Sequence, residues 1–403
     1  MFTDISLCLI IKTRINEKQS SIECNFKANS MKNIRQSNIN THKDAWVEIN
    51  LEALAENITE IKKGIPSNKK LLGIVKADAY GHGSAMIAQT MLASGVDMFG
   101  VSSVDEGLDL RNVKIKAPIL VVGAIPLWAV ETAAKNNIAF SIFNNDHLKA
   151  CMEVYERTGI KPKVHIKLDT GMNRIGVRTE DALEFIKEVK KANYLKFDGI
   201  FTHLAAAEEP KETEKQIKKW NSIVENIDTT GLLIHIQNTA ATFAYDIKSN
   251  MVRVGISLYG LYPDLPNKVN YKPNLKQIMG LKGRITNIHE VKAGEGVSYA
   301  HTFVAEKPTK IATIPIGYAD GVSRGLSNKI YGIINNKKVQ QVGNITMDQM
   351  MFDIGDIKAQ VGDVITLLDD KELSLDNWAK ILHTINYELT CRLKVRLPRV
   401  YTR

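Results

Sequence analysis

The sequence predicts an α/β protein: an N-terminal (β/α)8 barrel of the TIM type followed by a mostly-β domain. Two patterns carry that expectation. Between residues 71 and 256, eight short runs rich in Val, Ile and Leu alternate with stretches of helical period, as parallel strands buried on both faces and joined by crossover helices would. Beyond about residue 276 the helical period fades and short β runs take over. With 403 residues at 44% hydrophobic, the chain has the length and apolar content for two such domains. No apolar run is long enough to span a membrane.

Residues 1–45 are rich in Asn, Ser and Lys without a period, and read as a disordered extension. A second reading starts translation at Met31. The short apolar run at 5–11 follows an acidic residue and precedes basic ones, the reverse of a secretory signal. Leu51, Leu54, Ile58 and Ile61 then recur at helical spacing, with Asn50 as N-cap and Gly64 as stop. The eight strand runs are 71–76, 98–102, 119–123, 139–143, 164–168, 197–203, 232–236 and 252–256, with helices such as 84–93 and 181–192 between them. A doubly wound open sheet is the competitor, and the count of eight favours the barrel. The β runs that follow are 283–291, 310–317, 329–334, 339–342 and 364–368, with a hairpin turn at Asn335-Asn336 and a helix at 374–384. The expected division is an extension at 1–45, a barrel at 46–276 and a β domain at 277–403.

The net charge of +9 invites a nucleic-acid reading, but the 40 lysines and 13 arginines are scattered and not interleaved with aromatics. A solvated lysine-rich surface accounts for them. Four cysteines without a CxxC pair offer no zinc or other metal site and no disulfide framework, which fits a reducing, cytoplasmic setting.

Polar residues gather where the runs end, and in a barrel the C-terminal strand ends face the active site. The first run closes on Lys76, just past three apolar residues. A poorly hydrated lysine favours the neutral amine that a Schiff base needs. The fifth run leads through Lys167 and Asp169 to Arg174, the sixth ends at His203, the seventh at Asn238-Thr239, and the eighth carries Arg253 before Gly255-Ile256. Small and hydroxyl residues after the seventh and eighth strands are where barrels often cradle phosphate, and Thr239, Gly255 and Ile256 fit that use.

At these residues the chain resembles the alanine racemases, pyridoxal-phosphate enzymes built from a barrel and a β domain. The resemblance runs from Ala45 to Arg403. It rests on Val75-Lys76-Ala77-Asp78-Ala79-Tyr80-Gly81-His82-Gly83, Asp169-Thr170-Gly171-Met172-Asn173-Arg174-Ile175-Gly176, Val252-Arg253-Val254-Gly255-Ile256, Val297-Ser298-Tyr299, the segment from Ile314 to Gly321, Met347-Asp348-Gln349 and the closing Leu397-Pro398-Arg399-Val400-Tyr401. It implies that Lys76 carries pyridoxal 5'-phosphate and serves as base on the face of the D-enantiomer, with Tyr299 as base on the other. His203 and then Arg253 would stand behind Tyr299, with Arg253 on the pyridine nitrogen. Tyr80, Asn238, Thr239, Gly255, Ile256 and Tyr387 would complete the cofactor site. Arg174 and the N–H of Met347 would bind the substrate carboxylate, Tyr318 and Asp348 would line the entrance, and Lys167 would be carbamylated beside Arg174. The resemblance further implies a homodimer in which Tyr299 and Met347 reach the partner's site, a small-molecule substrate (alanine), and a role in supplying D-alanine for the peptidoglycan cell wall.

Asn173 stands where a glycine is usual, Thr239 where serine is frequent, Ala300-His301 where the pair begins with glycine, and Thr346 where cysteine is frequent. Rival readings are a racemase of other preference such as serine, a barrel decarboxylase (whose cysteine motif is not visible), and a non-catalytic cofactor carrier, against which the Tyr299 and Met347 segments argue.

Overall fold

The computed structural model describes residues 43–403, so the expected disordered extension and the alternative start at Met31 lie outside the described residues. Eight parallel strands form the barrel: Lys70–Ile74, Met98–Val101, Ile119–Val121, Ala139–Ile142, Lys163–Asp169, Lys196–Phe201, Leu233–His235 and Met251–Val254. The last pairs with the first, Val252 beside Leu71, and it is the backbone bonding across the one remaining seam that decides for a barrel over an open sheet. At the remaining seam, Asn250 N–H reaches Ile234 O at 3.1 Å and Arg253 N–H reaches Gln237 O at 3.0 Å. Every residue of the second, third and fourth strands is buried, as strands covered by helices outside and side chains inside must be.

The helix Leu51–Lys63 begins where Asn50 Oδ1 accepts the Ala53 N–H at 2.9 Å, and it buries Leu51, Leu54, Ile58 and Ile61. Gly64 ends it for a different reason from the one expected. Its φ is an ordinary −88°, but a Cβ there would fall 2.2 Å from the Tyr271 ring.

The second domain is a nine-stranded sheet, and it claims residues that the sequence had assigned to the barrel. Strand Ala45–Asn50 pairs antiparallel with Met279–Arg284 and parallel with Arg399–Thr402. Its alternation, with Ala45, Val47 and Ile49 buried, is the period-two signal of a half-covered sheet. The run expected at 283–291 is two strands, Met279–Arg284 and Asn287–Val291. Asn335-Asn336 does turn the hairpin between Tyr331–Ile334 and Lys337–Val342, with φ of 49° and 60°, the left-handed pair that a two-residue turn of this hand requires. Ser374 caps helix Leu375–Leu382. Strands Met350–Asp353 and Arg399–Thr402 and helix Asn386–Arg392 were not foreseen. One hydrophobic core runs through both domains, from Phe99 and Ile142 in the barrel to Leu281 and Phe352 in the sheet.

Candidate active site

Lys76, half-buried, follows the first barrel strand. The four residues after it, Ala77, Asp78, Ala79 and Tyr80, all have φ near +52°. Four left-handed L-residues in a row cost about 1–2 kcal/mol each, so the turn must be held from outside. Glu106 Oε1 accepts the Ala77 N–H at 2.8 Å, and Asp78 Oδ1 accepts the Ser84 N–H at 2.7 Å. His82 Nδ1 faces two carbonyls, Ala79 O at 2.8 Å and Tyr80 O at 3.0 Å, so Nδ1 must carry the hydrogen. Burial pushes His82 down to about 4, which keeps it neutral. The second domain closes the brace, with Arg399 Nε donating to Gly81 O at 3.0 Å and Tyr401 to His82 O at 3.2 Å. A Cβ on Gly81 would sit 2.4 Å from Thr390 O, so only glycine fits between the turn and the helix Asn386–Arg392.

The turn brings Tyr80 against Tyr259 and Tyr387, with ring centroids 5.1 and 6.0 Å away. Burial raises both Tyr80 and Tyr387 above the ordinary phenol range, so their hydroxyls stay protonated donors. A Cβ on Gly255 would come 2.7 Å from Tyr80 Oη, so bare backbone faces that hydroxyl. Thr239 Oγ1 accepts the Gly255 N–H at 2.9 Å, and Asn238 caps the short helix that Thr239 begins. Ile256 opens a 3-10 turn directly behind. The expected phosphate residues therefore converge.

Arg253 is buried across the barrel interior. One terminal nitrogen donates to His235 O at 3.0 Å and His235 Nδ1 at 3.1 Å. The other donates to Thr202 O at 2.8 Å, His203 Nδ1 at 3.1 Å and Ile236 O at 3.2 Å. Only Nε–H has no partner among the described residues. Burial pulls Arg253 down to about 9, so the guanidinium stays charged at neutral pH. His203 lies well below the usual imidazole range, first through burial and then through Arg253 and Lys167. Because Arg253 can only donate, the neutral ring of His203 carries its hydrogen on Nε2. The same logic fixes His235, whose Nε2 meets His165 Nδ1 at 3.0 Å. His235 and His165 received no role from the sequence, since nothing local pairs residues on different strands.

Lys167 is buried, with Nζ 5.3 Å from the Phe201 ring centroid. Burial, then the charges of Arg174 and Arg253, bring it down to about 7. Arg174 itself is exposed on a loop wound around Asp169, whose Oδ1 accepts the N–H groups of Gly171 at 3.1 Å and Asn173 at 3.0 Å. Asp169 was quoted in the motif but given no task.

The β-domain residues stand apart. Tyr299 is 74% exposed, Met347 54% and Tyr318 42%. Among the described residues, Tyr299 has no side-chain hydrogen bond to His203 or Lys76; its carbonyl accepts from Asn344 Nδ2 at 2.7 Å. The series Arg253–His203 thus stops one member short of Tyr299 within one chain. Asp348 pairs with Arg396 at 2.6 Å. Ala300 and Asn173, the two residues noted as replacing glycine, both hold positive φ, 61° and 55°. Asn tolerates that region and Ala does not. Ala300→Gly should therefore raise stability by about 1 kcal/mol, read as a higher midpoint in thermal or urea unfolding; an unchanged or lower midpoint would contradict the strain.

Residues 49–263 match the family described as "Alanine racemase, N-terminal domain", and residues 278–401 match "Alanine racemase, C-terminal domain". The chain is 40% identical over 377 residues to an alanine racemase of Nostoc sp., covering 88% of this chain and 95% of that protein. It is 39% identical over 375 residues to alanine racemase 2 of Bacillus subtilis, covering 90% and 95%. The solved alanine racemase of Clostridium difficile 630 superposes with a TM-score of 0.84 at 37% identity, covering 89% of this chain and 96% of that one. Matched along both domains, the chain belongs to the alanine racemases, enzymes that interconvert L- and D-alanine.

Proposed function

We propose that this enzyme racemises alanine with pyridoxal 5'-phosphate in sites shared between two copies of the chain, and that its D-alanine supplies cell-wall precursors in the cytoplasm. The observation that carries the shared site is the polar series Arg253–His203 waiting in the barrel while Tyr299 stands 74% exposed on the β domain. A second copy placing its Tyr299 over His203 completes both.

The residues suit the cofactor. Tyr80, Thr239 and the bare backbone at Gly255 form a cradle that a Cβ would fill and that suits a phosphate. The Nε–H of Arg253 offers one charged donor to a ring nitrogen. When bound, the cofactor supplies an electron sink for the charge left at the substrate Cα. A guanidinium donates a hydrogen bond without handing over the proton, which keeps that sink weak and favours rapid return of a proton. Lys76 Nζ holds or delivers the proton on one face, and the partner's Tyr299 Oη does so on the opposite one. His203, hydrogen on Nε2, donates to the tyrosine oxygen and steadies it after its proton has left. Arg174 and the N–H of the partner's Met347 hold the carboxylate. Lys167, near 7, is neutral above that pH and able to add CO2, losing a proton; the carbamate so formed gives Arg174 an anionic partner.

Mixed dimers test the sharing. Lys76→Ala chains retain Tyr299, and Tyr299→Ala chains retain Lys76. Equal mixing after dissociation makes half the dimers mixed, each with one intact site, so about a quarter of wild-type activity should return. Mixtures no more active than the separate variants would mean that both residues act within one chain.

A further inference from the structure

Four charges stand together at the base of the entrance residues. Asp320 is fully buried. Lys43 Nζ lies 2.6 Å from both of its carboxylate oxygens, and Oδ2 also accepts the Gly317 N–H at 2.9 Å. Arg396 stands between two carboxylates, donating to exposed Asp348 at 2.6 Å while its Nε lies 3.6 Å from Asp320. Asp320 ends the turn that begins at Tyr318, and that turn is laid against the Met347 segment. Tyr318 N–H donates to Thr346 O and Ala319 N–H to Met347 O, each at 3.0 Å. A Cβ on Gly317 would lie 2.3 Å from Thr346 O, so only glycine lets the two segments pack this closely.

A buried carboxylate loses far more from lacking a cation than an exposed one does, whereas an exposed ion pair is weak and readily traded. If Asp320 lacked Lys43, it would draw in the nearest other cation, Arg396, at the expense of Asp348. We propose that Lys43 is a positioning residue for the active-site entrance: by saturating Asp320 it leaves Arg396 to Asp348 and holds Asp348 beside Tyr318 and Met347. Lys43 lies outside both segments matched to the family, so membership assigns it nothing. The effect on substrate rests on the entrance reading of Tyr318 and Asp348 given above; the partition of charge does not.

The test uses the cofactor-loaded dimer. In a crystal structure of Lys43→Met, Arg396 should turn onto Asp320 and leave Asp348. The KM for alanine should rise about two- to fivefold with kcat nearly unchanged, as loss of one exposed ion pair at an entrance allows, and Lys43→Arg should restore it. Asp348→Asn should raise KM similarly in the wild-type background and add nothing in the Lys43→Met background. Arg396 still on Asp348 in the variant, a fall in stability alone, or effects of the two substitutions that multiply would each overturn the proposal. If Arg396 moves but Asp348→Asn alone leaves KM unchanged, the charge partition stands and the entrance reading fails. Lys43→Gln, which keeps polarity without charge, should move Arg396 in the same way and serves should the methionine variant fold poorly.

Discussion

Replacing Lys76 with alanine should lower kcat for both enantiomers by at least about 10⁴-fold, because it removes a base and the amine that anchors the cofactor at once. The loss should come without collapse of the fold. Lys76 is half-buried, and its side chain makes no hydrogen bond among the described residues, so truncation leaves no orphaned partner. The left-handed turn behind it is braced by Glu106, His82, Arg399 and Tyr401, none of which makes a hydrogen bond or ion pair with the lysine amine. Circular dichroism and the unfolding midpoint of the cofactor-free protein should match wild type, while the visible absorbance of bound cofactor disappears. Activity above about 1% of wild type in both directions would exceed what one missing acid–base group leaves behind and would place the essential amine elsewhere.

Tyr299→Phe should cost racemisation about 10²- to 10⁴-fold, and its diagnostic is asymmetry. Lys76 would remain able to remove and return the Cα proton on its own face. In deuterated water, D-alanine should keep exchanging its Cα hydrogen without inverting, while exchange from L-alanine falls with the racemisation rate. The aromatic ring is retained at a 74% exposed position, so stability should hardly change. Equal loss of exchange from both enantiomers would show that the hydroxyl organises the whole site; undiminished exchange from L-alanine would remove it from the proton path.

Much of the fold was legible because burial on both faces writes uninterrupted apolar runs, and all eight barrel runs coincide with strands. The β domain was less legible. Ala45–Asn50 alternates over only six residues, and a period of two in so short a segment just before a strong helix is easily absorbed into the helix. Lys76 and His203 stood out as polar residues ending apolar runs, and Arg253 as a charge inside one. The tautomer of His203 did not, because it depends on Arg253 arriving from another strand. Nothing in Ala77-Asp78-Ala79-Tyr80 announces four left-handed residues either; that conformation is imposed by bracing groups from Glu106 to Tyr401, and only tertiary structure assembles them. Lys43 belongs to the same class, since its partner Asp320 lies across the whole barrel in sequence.

The placement of strand Ala45–Asn50 has a consequence for how the molecule can be made and cut. It lies inside the β sheet, between Met279–Arg284 and Arg399–Thr402, yet it leaves the ribosome before any barrel strand. The barrel can close once Met251–Val254 has emerged, whereas this strand waits for Met279–Arg284 to cover one edge and for the last stretch of chain to cover the other. The two domains are therefore not modules that recombination could exchange at a single junction: a cut after the barrel would carry away an interior strand of the sheet and strand Arg399–Thr402 without its neighbour.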